Sequence, residues 1–316
     1  MKRLDRILAV LDPTASSQPA LAKAVTLARR SGAALELFIC DFDPALSGQP
    51  GFDTDKLRQL REEFMTERLE HLEELADELR SEELSVETHV HWDNPLYRGI
   101  VRRVEESGPD LVVKDTHYHG ALRRTLFTNT DWSLIRTCPA PLLLAKSADW
   151  PASPKIVAAL DPGHLGDKPA TLDHDILDWT TLIAERMDGE ASAVHAFFPA
   201  ALLAANVGMA GLPMVGGVTA AEIVESERRR LTEVLSGIVA THDLARGRVC
   251  LEQGAASDVL PRFVETVGAA LLVMGAVSRS RLQEVFLGST AERVLDRVGC
   301  DVLVVRPPDF GEKLPF

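Results

Sequence analysis

The chain has 316 residues, of which 46% are hydrophobic and 26% are charged, and its formal net charge at pH 7 is −13. This acidic balance argues against sequence-independent binding to nucleic acid or to an anionic membrane, because both need basic surface. The N-terminal apolar run is too short for a signal peptide, and the widely spaced cysteines favour neither a disulfide framework nor a Cys-x-x-Cys metal site. We therefore expect a cytoplasmic protein without a membrane span.

Short β-branched runs alternate with amphipathic helical stretches along the chain, which indicates a parallel sheet with helices on both faces. The first half predicts strands near residues 5–11, 34–40, 85–91, 110–115 and 141–145, and helices near 16–32, 54–82, 95–107 and 130–137. The second half predicts strands near 155–160, 191–197, 247–252, 270–275 and 301–305, and helices near 170–187, 219–241, 256–267 and 289–298.

An internal repeat accounts for this recurring order of elements. Asp5–Pro13 matches Pro154–Pro162, since both are apolar runs that end in Asp-Pro, and Leu122–Ile135 matches Leu282–Leu295 without a gap. The stretch Lys146–Lys155 contains two prolines and small polar residues, which is typical of a linker. The sequence thus predicts two domains, each of roughly 150 residues, a usual domain size. Their predicted limits are 1–147 and 155–308.

A loop rich in glycine and hydroxyl residues follows the fourth predicted strand of the second half and ends in a Gly-Ser-Thr that can open a helix. Glycines let the backbone approach an anion, and free N–H groups at a helix N-terminus point towards it. The carboxylate that ends the first strand can accept from a base or ribose, and arginines of the loop can add charge. The candidate ligand residues are Asp161, Gly275, Ser278, Arg279, Gly288, Ser289 and Thr290. The alternative is that the glycine ends a strand and Gly-Ser-Thr merely caps a helix.

The matching loop of the first half has Asp115 and Thr128 where the second half has Gly275 and Gly288. A carboxylate there repels phosphate. We expect an ion-pair network instead, with Asp131 as a further possible member. A metal site is the weaker interpretation, because the other histidine pair, on strand three, would lie at the sheet edge, and zinc needs three or four convergent ligands. The candidate polar cluster is Asp12, Asp115, His117, His119, Arg123 and Arg124.

The segment 196–218 contains no charged residue. Its length would admit a membrane span, but its prolines and glycines argue against one. Two interpretations stay open: a loop or short helix packed on the core or on another subunit, and an apolar lid over a pocket for a hydrophobic group. The candidate pocket residues are Phe197, Phe198, Leu202, Leu203, Met209 and Met214.

The repeat resembles the unit of the universal stress protein family, in its tandem two-domain type. The first strand of each half ends in Asp, at Asp12 and Asp161, and the fourth strand of the second half precedes a loop similar to Gly-x-x-Gly-x9-Gly-Ser/Thr, with Ser278 in place of its second glycine. The first half departs from this motif at all four positions. The resemblance implies two tandem doubly wound α/β domains, Rossmann-like and adenine-nucleotide alpha-hydrolase-like. Each would have a five-stranded parallel sheet in the order 3-2-1-4-5, with the last strands of the two domains paired.

In such sheets ligands bind where the strand order reverses, here between strands one and four. The resemblance implies an ATP- or AMP-like ligand in the second domain, with no metal beyond nucleotide-associated Mg²⁺. No Gly-x-Ser-x-Gly, His-Glu-x-x-His or full Walker motif appears, so we expect a binding and regulatory protein of the stress response, with at most slow ATP hydrolysis. Two alternatives remain: a binder of a lipid-like or nucleotide-sugar phospho-ligand, and a ligand-free scaffold that forms a homodimer.

Overall fold

The computed structural model describes residues 2–15, 17–48, 55–119, 124–146, 149–162, 171–198, 220–242, 244, 249–275 and 288–306. Within these ranges the backbone alone is described at residues 117–119, 124–126 and 220. We call the residues up to 146 the first half and those from 155 the second half.

The first half contains seven strands and four helices among its described residues. The strands are β1 (Arg6–Val10), β2 (Ala34–Asp41), β3 (Val86–Trp92), β4 (Leu111–Asp115), β5 (His117–His119), β6 (Arg124–Leu126) and β7 (Leu142–Ala145). The helices are α1 (Pro19–Ser31), α2 (Asp55–Arg80), α3 (Leu96–Ser107) and α4 (Asn129–Thr137). The short hairpin of β5 and β6 and a 3-10 turn at Pro44–Leu46 were not predicted from the sequence.

The second half repeats this order of elements without a described hairpin. The strands are β8 (Lys155–Ala159), β9 (Glu190–Phe197), β10 (Val249–Gln253), β11 (Leu271–Gly275) and β12 (Asp301–Val305). The helices are α5 (Leu172–Arg186), α6 (Ala220–Val239), α7 (Ala256–Val267) and α8 (Ser289–Arg297). No helix in the described part of the chain is both long and apolar enough to cross a membrane.

Ten strands form one sheet, in the order β10-β9-β8-β11-β12-β7-β4-β1-β2-β3. Each half contributes five parallel strands in the order 3-2-1-4-5, which confirms the predicted fold class. The halves join where β7 pairs antiparallel with β12, with Leu143 opposite Leu303 at the centre of the register. We call this junction the seam. The sheet is therefore continuous across both halves.

Apolar residues alternate along the strands and fill a core on each face of the sheet. On β1, Ile7 and Ala9 face one core while Leu8 and Val10 face the other. Helices α1, α2, α5 and α6 cover the first core, and helices α3, α4, α7 and α8 cover the second. Both cores run through both halves, so the helices of one half lie close to those of the other.

Candidate functional site

The strand order reverses between β1 and β4 in the first half and between β8 and β11 in the second. The carboxyl ends of these strand pairs define what we call the first and second switch points. Asp12 and Asp115 follow or end the strands of the first, and Asp161 and Gly275 stand in the matching places of the second. The structure thus brings each predicted pair to one end of its own half, where open parallel sheets bind ligands.

At the first switch point, the Asp115 carboxylate supports the start of helix α1. Its Oδ1 atom accepts a hydrogen bond from the backbone N–H of Ala20 at 2.6 Å. Burial raises the pKa of Asp115 to about 6, an effect that the nearby Asp12 carboxylate reinforces and that Lys23 partly opposes. The Asp12 side chain in turn accepts from the backbone N–H and the hydroxyl of Thr14, at 2.8 and 2.6 Å. Both carboxylates therefore accept hydrogen bonds from neighbouring residues, and their negative charge repels a phosphate at this switch point.

The N-terminus of helix α4, beside the first switch point, is closed by its own side chains. The Thr128 hydroxyl accepts from the N–H of Asp131 at 3.2 Å, and the Asp131 carboxylate accepts from the N–H of Thr128 at 2.8 Å. This reciprocal capping box satisfies donors that an anion would otherwise use. The sequence carried its signature, Thr-x-x-Asp, which our sequence analysis did not use.

The predicted ion-pair network around Asp115 is only partly within the described structure. Asp131 is fully buried and pairs with Lys114 at 2.8 Å, so its described partners are Lys114 and Thr128 rather than Asp115. Arg123 lies outside the described residues, and so do the side chains of His117, His119 and Arg124. Their part in the network stays a prediction.

At the second switch point, packing accounts for one of the predicted ligand glycines. A Cβ on Gly275 would lie 2.8 Å from Cδ2 of Leu172, at the start of helix α5. Asp161 donates its backbone N–H to Oδ1 of Asp173 at 3.2 Å, and Asp173 is 2% exposed. Our sequence analysis missed Asp173, although an acidic residue in the first turn of a helix was a readable signal.

The N-terminus of helix α8 differs from that of α4 in both capping positions. Gly288 is the N-cap residue, with φ −65° and ψ 137°, and no side chain of the described residues caps the helix there. The third helical position, which Asp131 holds in α4, is Ala291 in α8. Ser289 and Thr290 are exposed. The first turn of α8 therefore lacks the side-chain acceptors that close the first turn of α4.

Several other predicted site residues lie outside the described part of the chain: Ser278, Arg279, Leu202, Leu203, Met209 and Met214. Of the predicted apolar pocket, Phe197 is 3% exposed and lies under the guanidinium of Arg228, 5.3 Å from the ring centre. Phe198 is 46% exposed. Phe197 thus belongs to the packed interior, and the pocket itself stays a prediction.

The described residues hold no cluster of three or more potential metal ligands. His89 and His91 lie on β3, at the edge of the sheet and separated from β4 by β2 and β1, as the sequence analysis expected. A cavity of about 680 Å³ lies near the amino ends of β11 and β12, between Trp150, Arg262 and Arg297. The switch points lie at the carboxyl ends of the strands, so this cavity is at the other end of the strands and does not correspond to the predicted ligand site.

Comparison with known proteins agrees with this architecture. The model of the universal stress protein family matches residues 3–146 and again residues 155–306. The chain belongs to this family. It is 27% identical over 310 residues to universal stress protein E of Escherichia coli strain K12, covering 98% of this chain and 96% of that protein. The similarity therefore spans nearly the whole length of both proteins.

A solved structure that spans nearly the whole chain has a similar fold. A functionally unknown protein from Pseudomonas aeruginosa PAO1 is similar in structure with a TM-score of 0.72 and 26% identity, covering 98% of this chain and 95% of its own. A universal stress protein in complex with cAMP covers 49% of this chain and 98% of its own length, at 21% identity and a TM-score of 0.32.

Proposed function

We propose that this universal stress protein is a binding and regulatory protein that holds a small phosphate-containing ligand, of the ATP or AMP type, at its second switch point. The ligand phosphate would lie at the N-terminus of α8, against Gly288, Ser289 and Thr290. Asp161 would accept from the base or ribose. The role is one of sensing a nucleotide rather than of catalysis.

The observation that carries this proposal is the difference between the N-termini of α4 and α8. The two helices hold matching positions in the repeat, and a capping box closes α4 while glycine and alanine stand at the same places in α8. Helix N-termini attract anions through their free N–H groups and the helix dipole. An exposed first turn that has no capping box of its own therefore fits a phosphate, and the first turn of α4 does not.

The backbone of Gly288 adds to this argument. Its φ of −65° is open to any residue, so the conformation does not require glycine there. Glycine instead means that residue 288 has no side-chain acceptor that could bond the N–H groups of the first turn. Glu292, four positions after Gly288, would oppose a phosphate, but Arg136 of the first half pairs with it at 3.3 Å. The local charge around the helix start is thereby reduced.

Native mass spectrometry of gently purified protein, followed by identification of released molecules, tests the proposal directly. Release of an adenine nucleotide from the protein, or binding of one added adenine nucleotide per chain, supports the proposal. A released acyl or nucleotide-sugar species would favour the lipid-like ligand. Protein that is empty and does not bind added ATP would leave the dimerising scaffold as the better account.

A sharper test gives α8 an N-cap side chain, in the variant Gly288→Asp. The new carboxylate would accept from the N–H groups that a phosphate needs and would repel the phosphate, so ATP binding measured by calorimetry should be lost. Because Asp and Gly at an N-cap differ by less than about 1 kcal/mol, the thermal midpoint should stay close to that of the wild type, which would show that lost binding is not lost folding. Unchanged ATP affinity in the folded variant would contradict the assignment of the site.

A further inference from the structure

Helix α8 has no left-handed glycine at its C-terminus, the end opposite the proposed ligand site. Helices α1, α3 and α7 end at Gly32, Gly108 and Gly268, each in the left-handed conformation that closes a helix. Helix α8 ends instead at Val298 in an extended conformation. Its last carbonyl groups therefore need another donor.

Lys146 of the first half supplies that donor. Its ammonium group donates to the backbone oxygens of Leu295 and Val298, at 3.0 and 2.9 Å. The side chain is 5% exposed, and burial lowers the pKa of Lys146 to about 8, so the group keeps its charge at neutral pH. A cation at a helix C-terminus also interacts favourably with the helix dipole.

Lys146 is itself held in a fixed place at the seam. It follows β7 directly, and its backbone N–H donates to Oδ1 of Asp301 at 2.7 Å, at the start of β12. Its ammonium group lies 5.3 Å from the ring centre of Phe127. The first half thus presents a rigid positive group to the end of a helix that belongs to the second half.

Other parts of the first half also contact α8. Strand β6 lies against the helix, and Arg136 on α4 pairs with Glu292 near its start. From the second half, Arg297 binds Asp258 on α7. The position of α8 is therefore set jointly by the two halves, with Lys146 at its C-terminal end.

We propose that Lys146 is a positioning residue for the ligand site at the other end of α8, through which the first half sets the geometry of a site in the second. Helix α8 has only nine residues, so its two ends are roughly 12 Å apart and a shift at one end moves the other. The inference rests on the proposed function for its effect on binding, but its effect on the helix stands without a ligand.

Three variants of the full chain test the proposal. Lys146→Met removes the ammonium group, while Asp301 keeps Lys23 and Trp150 as partners, so the buried carboxylate stays compensated. Lys146→Arg keeps the charge and donors. Lys155→Met is the matched control, because Lys155 donates to the last carbonyl of α7, Val267, at 3.1 Å and leaves α8 untouched.

Two measurements are made on each variant: hydrogen exchange of the α8 amides without ligand, and the dissociation constant for ATP by calorimetry. In Lys146→Met we expect exchange over residues 292–298, whose amides donate within α8, to quicken roughly tenfold with α7 unchanged, and ATP affinity to fall by a similar factor. Lys146→Arg should recover at least half of each effect. Lys155→Met should leave both at the wild-type level.

The outcomes separate the two proposals. A wild-type chain that ignores ATP would remove the proposed function, while selective exchange in α8 would still support the role of Lys146 in holding the helix. Unchanged exchange in Lys146→Met would overturn the inference, as would faster exchange with unchanged ATP affinity. Equal acceleration in α7 and α8, or no recovery in a folded Lys146→Arg variant, would also overturn it, since either would show general destabilisation.

Discussion

The Cβ that Gly275 lacks would lie 2.8 Å from Cδ2 of Leu172, so a large helix residue faces a strand residue without a side chain. In the first half the contact is polar. Asp115 ends the matching strand, and its carboxylate accepts a hydrogen bond from the backbone N–H of Ala20 at the start of α1. The two halves therefore join this strand to a neighbouring helix by different means, apolar packing in one and a hydrogen bond in the other.

The close approach of Leu172 to Gly275 predicts that Gly275→Ala lowers the free energy of unfolding by about 1–3 kcal/mol, because Leu172 is 2% exposed and has little space to move. The same change in a Leu172→Ala background should cost much less. Urea unfolding of the wild type, both single variants and the double variant measures the coupling energy. Strictly additive losses would show that the two positions do not meet as described.

The sequence was sufficient to predict most of the architecture. The apolar runs before Asp12 and Asp161 predicted two equivalent first strands, and the family resemblance implied the strand order 3-2-1-4-5 in each half, both of which the structure confirms. Strand position follows from hydrophobic periodicity, which is local and strong. The hairpin of β5 and β6 was missed because a polar segment rich in histidine and arginine carries no such periodicity.

The arrangement of the site depended on contacts that sequence spacing does not give. The pairing of Lys146 with Val298 joins residues far apart in the chain, so no local pattern indicated it. Gly275 was predicted as a ligand residue, and the structure adds a packing reason for a glycine at that position. A glycine that a sequence motif assigns to a ligand site can thus also be required by packing against a helix, which the motif alone does not reveal.

Asp115→Asn should make the protein more stable at neutral pH. The folded pKa of Asp115, about 6, lies above its ordinary value of 3.8. The contribution of Asp115 to the free energy of unfolding is therefore greatest below about pH 4, and it is lost as the pH rises through about 6. Asparagine avoids the buried charge and keeps an oxygen for the N–H of Ala20, so we expect a gain of about 1–2 kcal/mol at pH 7.5.

Chemical denaturation at about pH 4 and about pH 7.5 measures this gain. The difference between Asp115→Asn and the wild type should shrink towards zero at the lower pH. Asp77→Asn is a matched control, since it removes one negative charge at an exposed position of α2 that pairs with Arg80. A gain of the same size in the control, or one that does not depend on pH, would contradict the explanation from buried charge.

Thr128→Ala should destabilise the protein through the first turn of α4. The variant loses the hydroxyl that accepts from Asp131, which is one half of the capping box, at an expected cost of about 1 kcal/mol. Ser133→Ala on the same helix is the control, because its hydroxyl donates only to the carbonyl of Asn129 within the helix. We expect the control to stay within about 0.5 kcal/mol of the wild type by urea unfolding. Equal losses in both variants would mean that the capping box does not stabilise α4.

Asp301→Asn should be the most destabilising single change at the seam. The carboxylate is fully buried and its Oδ2 lies 2.8 Å from the ammonium of Lys23, which is 2% exposed, and accepts from the indole of Trp150 at 2.6 Å. Asparagine would leave the Lys23 charge buried without this carboxylate, at an expected cost of about 3–5 kcal/mol in urea unfolding.

The double variant Lys23→Met/Asp301→Asn tests whether that cost comes from the buried charge. Lys23 is the cation whose ammonium group lies against the Asp301 carboxylate, so removing both charges should leave the double variant more stable than Asp301→Asn alone. The backbone N–H of residue 146 and the indole of Trp150 can still donate to the asparagine oxygen. If the double variant were instead less stable by the full sum of the two single losses, the pair would be contributing through packing and not through its charge.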